Sequence, residues 1–203
     1  MTFNPLFSNA DTTGVGLAKQ TAITNLGMGV MNKCALYWRN MTAAQVFWPK
    51  DREWIEQIAD TGAQSNWTLW YNPYAMNGNK PVLIGFVAGN YAERIENFTD
   101  AQITGQAVAA LRKLFNATKA TIPDPSASLI TRWKSDKFSA GSYSFQKLGS
   151  KKLSRQHLAA PLNNKLFFAG EATHSQYPST THGALLSGET AACAVLKLLG
   201  TSC

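Results

Sequence analysis

Residues 165–199, KLFFAGEATHSQYPSTTHGALLSGETAACAVLKLL, constrain the fold more than any other stretch. An apolar run of strand length halts at Gly170, a turn with Tyr177 and Pro178 follows, and His182 to Leu199 has helical periodicity. A strand feeding a helix in this way delivers Gly170 and Glu171 to its carboxyl end, where folds of alternating strands and helices hold ligands. The helix would open within Thr180–Gly183, and its first N–H groups, at Thr181 and His182, would suit an electron-rich ligand. Gly183 would let that ligand approach the backbone, and Gly188 would let the helix pack tightly. On physical grounds alone, an ordinary strand, loop and helix, with Leu185, Ala192, Leu196 and Leu199 on one face, fits equally well.

Upstream, the first thirty or so residues read as a loop carrying Gly14 and Gly16. An extended segment is expected from about Val30 to Arg39, a turn at VFWP (46–49), and strands at WTLWYN (67–72) and PVLIGFVAG (81–89). The last is apolar almost throughout, as for a strand buried on both faces. Asp100 to Phe115 reads as a helix, with Thr99 as N-cap, Gln102 as its capping-box partner, and Ile103, Ala107, Leu111 and Leu114 as the apolar stripe. A short strand, LITRW, would end at Trp133, and KLGSKKLSR (147–155) reads as a solvated loop. Strands and helices interleave, so the class is α/β or mixed α+β.

The apolar (45%) and charged (15%) fractions of the 203 residues are those of a globular chain. The net charge of +7 is scattered, which argues against a nucleic-acid partner. No run is long enough to cross a bilayer, and the N-terminus lacks the pattern of a signal peptide. Cys34, Cys193 and Cys203 match no metal-ligand spacing and read as reduced thiols, so no metal is expected. The compartment stays open between cytoplasmic, organellar and, through the sequons at Asn40, Asn66, Asn97 and Asn116, secreted.

LFFAGEATH and YPSTTHGALLSGE together resemble the C-terminal flavin-contacting motif of the flavin-containing amine oxidases, with wording most like that of the polyamine and spermine oxidases. LGMGVMNK, FWP, PVLIGFVAG and TRWKSDKFSAGSYS follow the family's order, so the resemblance runs from about Phe3 to Leu199. It implies part of an FAD-linked amine oxidase fold. Residues 1–29 would end a middle segment of the FAD domain, 30–155 would form a mixed substrate-domain sheet with helices, and 156–203 would supply the closing strand and helix of the Rossmann-like FAD domain.

The resemblance also implies roles. Lys33 matches a catalytic lysine that reaches the flavin through a water. Trp133, Phe138 and Tyr143 match aromatic residues around flavin and substrate, with Trp133 touching both, and Thr180 matches a residue facing the substrate cavity. Glu171 matches an acid that contacts cofactor hydroxyls, Thr181 offers its N–H to the flavin, and Gly170 lies beside the cofactor. His174 and His182 read as structural. The implied reaction is FAD-dependent oxidation of a polyamine-like amine, with dioxygen reduced to hydrogen peroxide.

Three alternatives stay open: a non-catalytic remnant acting as an interaction module, oxidation of protein lysine, and oxidation of amino acids. No GxGxxG turn occurs in these residues. Without that N-terminal FAD-domain half, the isolated chain is expected to fold poorly, hold FAD weakly and be inactive.

Overall fold

A computed structural model of the chain describes residues 15–59, 66–76, 78–151 and 153–203. It divides into two compact units. One joins the residues up to Gly29 with Tyr143–Cys203, and the other is the continuous stretch Val30–Ser142.

The discontinuous unit begins with helix α1 (Val15–Asn25), which runs into strand β1 (Leu26–Gly29). The opening loop expected from sequence therefore ends at Val15, and its first fourteen residues lie outside the described part. Gly16 does sit in the first turn of a helix, but Lys19 occupies the position of the third glycine of a dinucleotide-binding turn.

The continuous unit is built on an antiparallel sheet of β2 (Met31–Tyr37), β3 (Trp54–Glu56), β4 (Leu69–Tyr71), β5 (Val82–Ala88) and β6 (Ala127–Ile130), in the order β3-β4-β5-β2-β6. The expected mixed sheet is thus antiparallel throughout among the described residues. β5 alternates half-buried and buried positions instead of burying both faces. The short strand ends at Ile130, before Trp133, because its ladder with β2 runs only from Ala127 opposite Tyr37 to Ile130 opposite Cys34.

After β5 the chain forms helix α2 (Gly89–Ile95) and then α3 (Asp100–Leu114). The capping box forms as expected: Thr99 Oγ1 accepts from the Gln102 N–H at 3.2 Å, and Gln102 Oε1 accepts from the Thr99 N–H at 2.9 Å. α3 buries Ile103, Ala107, Val108 and Leu111 in one core with Cys34 and Leu36 of β2 and Leu83 and Val87 of β5. Burial pushes the Cys34 thiol up to about 12, as suits a structural cysteine. Gly85 leaves room for the Trp67 and Trp70 indoles, whose ring atoms lie 2.9 and 2.8 Å from where a Cβ would stand.

Strand β7 (Tyr143–Gln146) returns to the discontinuous unit and pairs antiparallel with β1, Gly29 opposite Tyr143. This pairing puts the second crossing between the units after Ser142, ahead of the boundary at 155 expected from sequence. Helix α4 (Ser154–Ala159) follows, where a solvated loop was expected. Arg155 is buried, and its guanidinium donates to Ser144 Oγ at 2.7 Å and to the Ala172 carbonyl at 3.0 Å.

The apolar run at 166–169 does not become a strand. Leu166 makes an isolated bridge with Leu162, and an apolar segment is no strand until a neighbouring ladder satisfies its backbone. A 3₁₀ turn, Glu171–Thr173, leads toward helix α5 (Thr181–Leu198), whose N-cap is Thr180. α5 buries Gly183 and Ser187, while Leu185 and Leu199 of the expected apolar face stay exposed. Beyond α5 the chain turns at Gly200 (φ 75°), and the Thr201 N–H donates to the Leu196 carbonyl. This brings the Cα atoms of Cys193 and Cys203 to 5.2 Å, and the two are joined as a disulfide. The expectation of reduced thiols fails for this pair because the tail folds back on the helix.

Lys19 of α1 is buried, donates to the carbonyls of His157 and Leu158 near the end of α4, and lies 3.7 Å from the centre of the Phe168 ring. A cation suits a helix C-terminus, but burial pushes the Lys19 ammonium down to about 8. Between about pH 8 and 10.5 the unfolded chain therefore holds more of this proton than the folded one, and stability contributed by this group rises across that window. The neutral amine keeps two N–H donors for the two carbonyls. Urea unfolding between about pH 8 and 10 is expected to show the native chain gaining stability relative to Lys19→Met. Parallel pH profiles for the two would refute the shift.

Candidate active site

In the continuous unit, β2 has two unlike faces. Asn32, Cys34 and Leu36 point into the core, and Lys33, Ala35 and Tyr37 lie on the half-buried face. Lys33 stands opposite Phe86 of β5, with its Nζ 5.3 Å from the ring centre. Trp54 of β3 lies 5.7 Å from Phe86 and 5.0 Å from Tyr71 of β4. This sheet face thus carries one ammonium beside three rings. Lys33 was expected from sequence. Trp54, Tyr71 and Phe86 were not, because their shared face depends on the register of three strands.

Trp133 follows β6 and is 37% exposed. Its N–H donates to Asn32 Oδ1 at 3.1 Å, and Thr131, two residues earlier, is bonded to Lys33 through both of the lysine's peptide groups. Lys33 and Trp133 are therefore tied together through the backbone. Phe138 lies on an exposed turn at 85% exposure, with Lys137 Nζ 4.8 Å from its ring centre. Within this unit it is not part of the Lys33 face. Arg132 donates to the Phe98 carbonyl at 2.8 Å and to Asp100 Oδ1 at 2.7 Å. These protein partners already occupy the arginine that an amino-acid oxidase reading would assign to a substrate carboxylate.

The remaining site residues belong to the discontinuous unit. Tyr143, although part of the same motif as Trp133, is on β7, where its ring crosses Gly29; a Cβ there would lie 2.8 Å from ring carbons. Glu171 Oε1 accepts from the Ser144 N–H at 2.8 Å, and Oε2 accepts from Ser144 Oγ at 2.7 Å and the Ser179 N–H at 2.6 Å. Burial lowers the Arg155 pKa, and the charge of Glu171 opposes that shift. Arg155, Ser144 and Glu171 thus form one chain of hydrogen bonds. Ser144 and Arg155 were missed because neither residue carries a signal in an isolated sequence.

Gly170 adopts φ 115°, and its N–H donates to Ser187 Oγ at 2.9 Å. Thr180 Oγ1 accepts from the Gly183 N–H at 3.0 Å and donates to the Tyr177 carbonyl at 2.7 Å. A Cβ at Gly183 would overlap that carbonyl, so the space belongs to Tyr177 and not to a ligand. Gly188 has no close neighbour among the described residues, contrary to the tight packing expected there. His174 Nδ1 accepts from the Tyr177 N–H at 2.9 Å, and its ring stacks 5.2 Å from that of Tyr177, a structural use.

The donor set of this unit fits the electron-rich edge of a flavin. Among the described residues, the N–H groups of Thr181 and His182 take no protein partner, and they open an 18-residue helix. The space beside Gly170 is open, and Glu171 Oε1 has acceptor capacity left for a hydroxyl.

The family model for flavin containing amine oxidoreductase matches residues 4–196, and the chain belongs to that family. FAD is accordingly its cofactor.

Among its relatives, lysine-specific histone demethylase 1 homolog 2 of Arabidopsis thaliana is 35% identical over 181 residues, 89% of this chain and 24% of the relative. The possible lysine-specific histone demethylase 1 of Drosophila melanogaster is 34% identical over 185 residues, covering 84% and 19%. The chain thus spans about a quarter or less of these relatives. Putrescine oxidase bound to putrescine shares the fold at a TM-score of 0.67 and 16% identity, over 90% of this chain and 38% of that one. Cyclohexylamine oxidase from Brevibacterium oxydans does so at 0.61 and 21%, over 91% and 38%.

Proposed function

We propose that this chain serves an FAD-dependent oxidation of an amine at the carbon next to its nitrogen. The observation that carries the reading is the sheet face of Lys33, Phe86 and Tyr71, half-buried beside the exposed Trp54, in a chain of the amine oxidoreductase family. The carbon–hydrogen bond breaks as the nitrogen lone pair forms the C=N bond, and water then hydrolyses the imine. A bound FAD would supply the acceptor for that hydride and the route of its electron pair to dioxygen, giving hydrogen peroxide, and the Thr181 and His182 N–H groups with Glu171 would hold it.

Ring faces orient an amine and exclude water from it, at about 0.5–2 kcal/mol for each well-placed cation and ring. Trp133, half-exposed and fixed by its N–H, offers one such wall. Lys33 places a positive charge and three donors where a water can be held, so charge growing on dioxygen is stabilised. Thr181 and His182 donate their free N–H groups to negative charge on the cofactor, and Glu171 orients a hydroxyl. Thr180 uses its hydroxyl in the cap, and the family resemblance assigns its position to the substrate cavity. Tyr143 and Phe138, which the family resemblance assigns to the aromatic set, are not part of the Lys33 face: Tyr143 is on β7 of the other unit and Phe138 is on an exposed turn.

The substrate we infer is a polyamine-like secondary amine. A second reading, an N-methylated protein lysine, is favoured by the 34–37% identity to proteins named as lysine-specific histone demethylases. Both present a secondary amine on an alkyl chain. The flavin-loaded protein, offered spermine or a methyl-lysine peptide, distinguishes them by peroxide release. Peroxide from spermine alone supports the first reading, and peroxide from the peptide alone supports the second. Flavin bound with no turnover of either would favour the non-catalytic alternative.

A further inference from the structure

Asn32 is fully buried at an inward position of β2, among apolar residues, and every polar atom of its side chain is bonded. Its Nδ2 donates to Glu96 Oε1 at 2.7 Å and to the Ala92 carbonyl at 3.2 Å. Its Oδ1 accepts from the Trp133 N–H at 3.1 Å and from Thr131 Oγ1 at 3.2 Å. Glu96, just past α2, accepts from the Lys134 N–H at 2.9 Å through Oε1, and from the Ser135 N–H at 2.7 Å and the Ser135 hydroxyl through Oε2. The two side chains therefore hold three successive backbone N–H groups, Trp133 to Ser135. Thr131 carries the connection to Lys33: its Oγ1 accepts from the Lys33 N–H at 2.8 Å, and its own N–H donates to the Lys33 carbonyl at 3.0 Å.

We propose that Asn32 and Glu96 are a positioning pair, which fixes the Trp133 loop against β2 and so sets the distance between the Trp133 indole and the Lys33 ammonium. Its catalytic meaning rests on the function proposed above; the positioning itself does not. An apolar residue at position 32 would serve the core at lower desolvation cost, so packing gives no reason for asparagine there. The arrangement does give one. A single asparagine offers a donor to an acid on one side and an acceptor to a loop on the other, and a carboxylate accepts from several N–H groups at once. Burial pushes the Glu96 carboxyl up, but the bonds from Ser135, Asn32 and Lys134 outweigh it and hold the group below its ordinary value. Glu96 is thus ionised at neutral pH and able to grip the loop.

The test is amide hydrogen exchange on the whole chain with Asn32→Asp, Glu96→Gln and the double variant. Asn32→Asp sets a carboxylate against the Glu96 carboxylate, and exchange at Trp133, Lys134 and Ser135 is expected to accelerate at least about tenfold, as for loss of one charge-assisted hydrogen bond. Amides of α3 from Ile103 to Leu111 are expected to keep their rates. The double variant reverses donor and acceptor, since the side-chain amide introduced at position 96 donates to the carboxylate introduced at position 32. Relative to Asn32→Asp it is expected to restore protection at Trp133 and Ser135 but not at Lys134, which then faces an N–H; the Ala92 carbonyl faces a carboxylate in both variants, so that loss cancels in the comparison. Equal acceleration in α3, unchanged rates at the loop, or no restoration in the double variant would each overturn the positioning pair. In the flavin-loaded protein, Asn32→Asp is expected to lower kcat more than it raises KM. Absence of amine turnover in the native protein would sink the proposed function and leave the exchange result standing.

Discussion

Replacing Lys33 by methionine is expected to slow reoxidation of the reduced flavin by dioxygen by about a hundredfold or more, the usual cost of removing one preorganised donor at developing charge. Methionine, one atom shorter, keeps the unbranched apolar stem beside Phe86, whose ring centre lies 5.3 Å from Nζ, and removes the charge and the three donors. The Lys33 peptide is held on both sides by Thr131, so the backbone has no cause to move. Flavin reduction by amine under anaerobic conditions is expected to change much less, because hydride departure develops no negative charge at the water that Lys33 would hold. Stopped-flow absorbance separates the two half-reactions. Reoxidation at the native rate would remove Lys33 from the reaction and return it to the ordinary role of a half-buried lysine on a sheet.

Much of this fold was legible in the sequence, and the gaps have physical causes. α3 could be read nearly to the residue, because its capping box and its apolar stripe are both local. α5 begins within one residue of its expected start for the same reason: Thr180 caps it through its own side chain. α1 and α4 were missed because they are joined by polar groups. Lys19 grips the end of α4 and Arg155 grips Ser144, and patterns of apolar residues do not register such contacts. The run at 166–169 misled in the opposite direction, since apolarity marks burial and a strand also needs a partner ladder.

The site was legible unevenly. Lys33 and Trp133 were named through a family resemblance, and unit 30–142 ties them together through Thr131 and Asn32. TRWKSDKFSAGSYS reads as a single motif, yet its last residues belong to the other unit, because Tyr143 starts the strand that pairs with β1. Asn32 left one sequence signal, a polar residue at an inward position between Val30 and Cys34. Glu96 left none, since an acid just after a helix looks like any solvated carboxylate until its three partners are in place.

Two glycines of α5 should respond to alanine with opposite signs. At Gly183 the new Cβ would overlap the Tyr177 carbonyl oxygen, which is backbone and has no rotamer to yield. That carbonyl also accepts from Thr180 Oγ1, and Thr180 Oγ1 accepts from the Gly183 N–H, so moving it breaks the cap as well. Overpacking costs about 1–3 kcal/mol and a lost cap about 1, so Gly183→Ala is expected to destabilise its unit by about 2–4 kcal/mol. For a unit of this size that lowers Tm by roughly 8–30 °C. At Gly188 a Cβ meets nothing within 4 Å, and the position is helix interior. Gly188→Ala is therefore expected to stabilise by about 0.5–1 kcal/mol, since alanine loses less backbone entropy than glycine on entering a helix. Thermal unfolding of the two variants, in parallel with the native chain, reads both. If Gly183→Ala melted with the native chain, the turn from Tyr177 to Gly183 would not be built as described, and the placement of Thr181 and His182 for a flavin would lose its support.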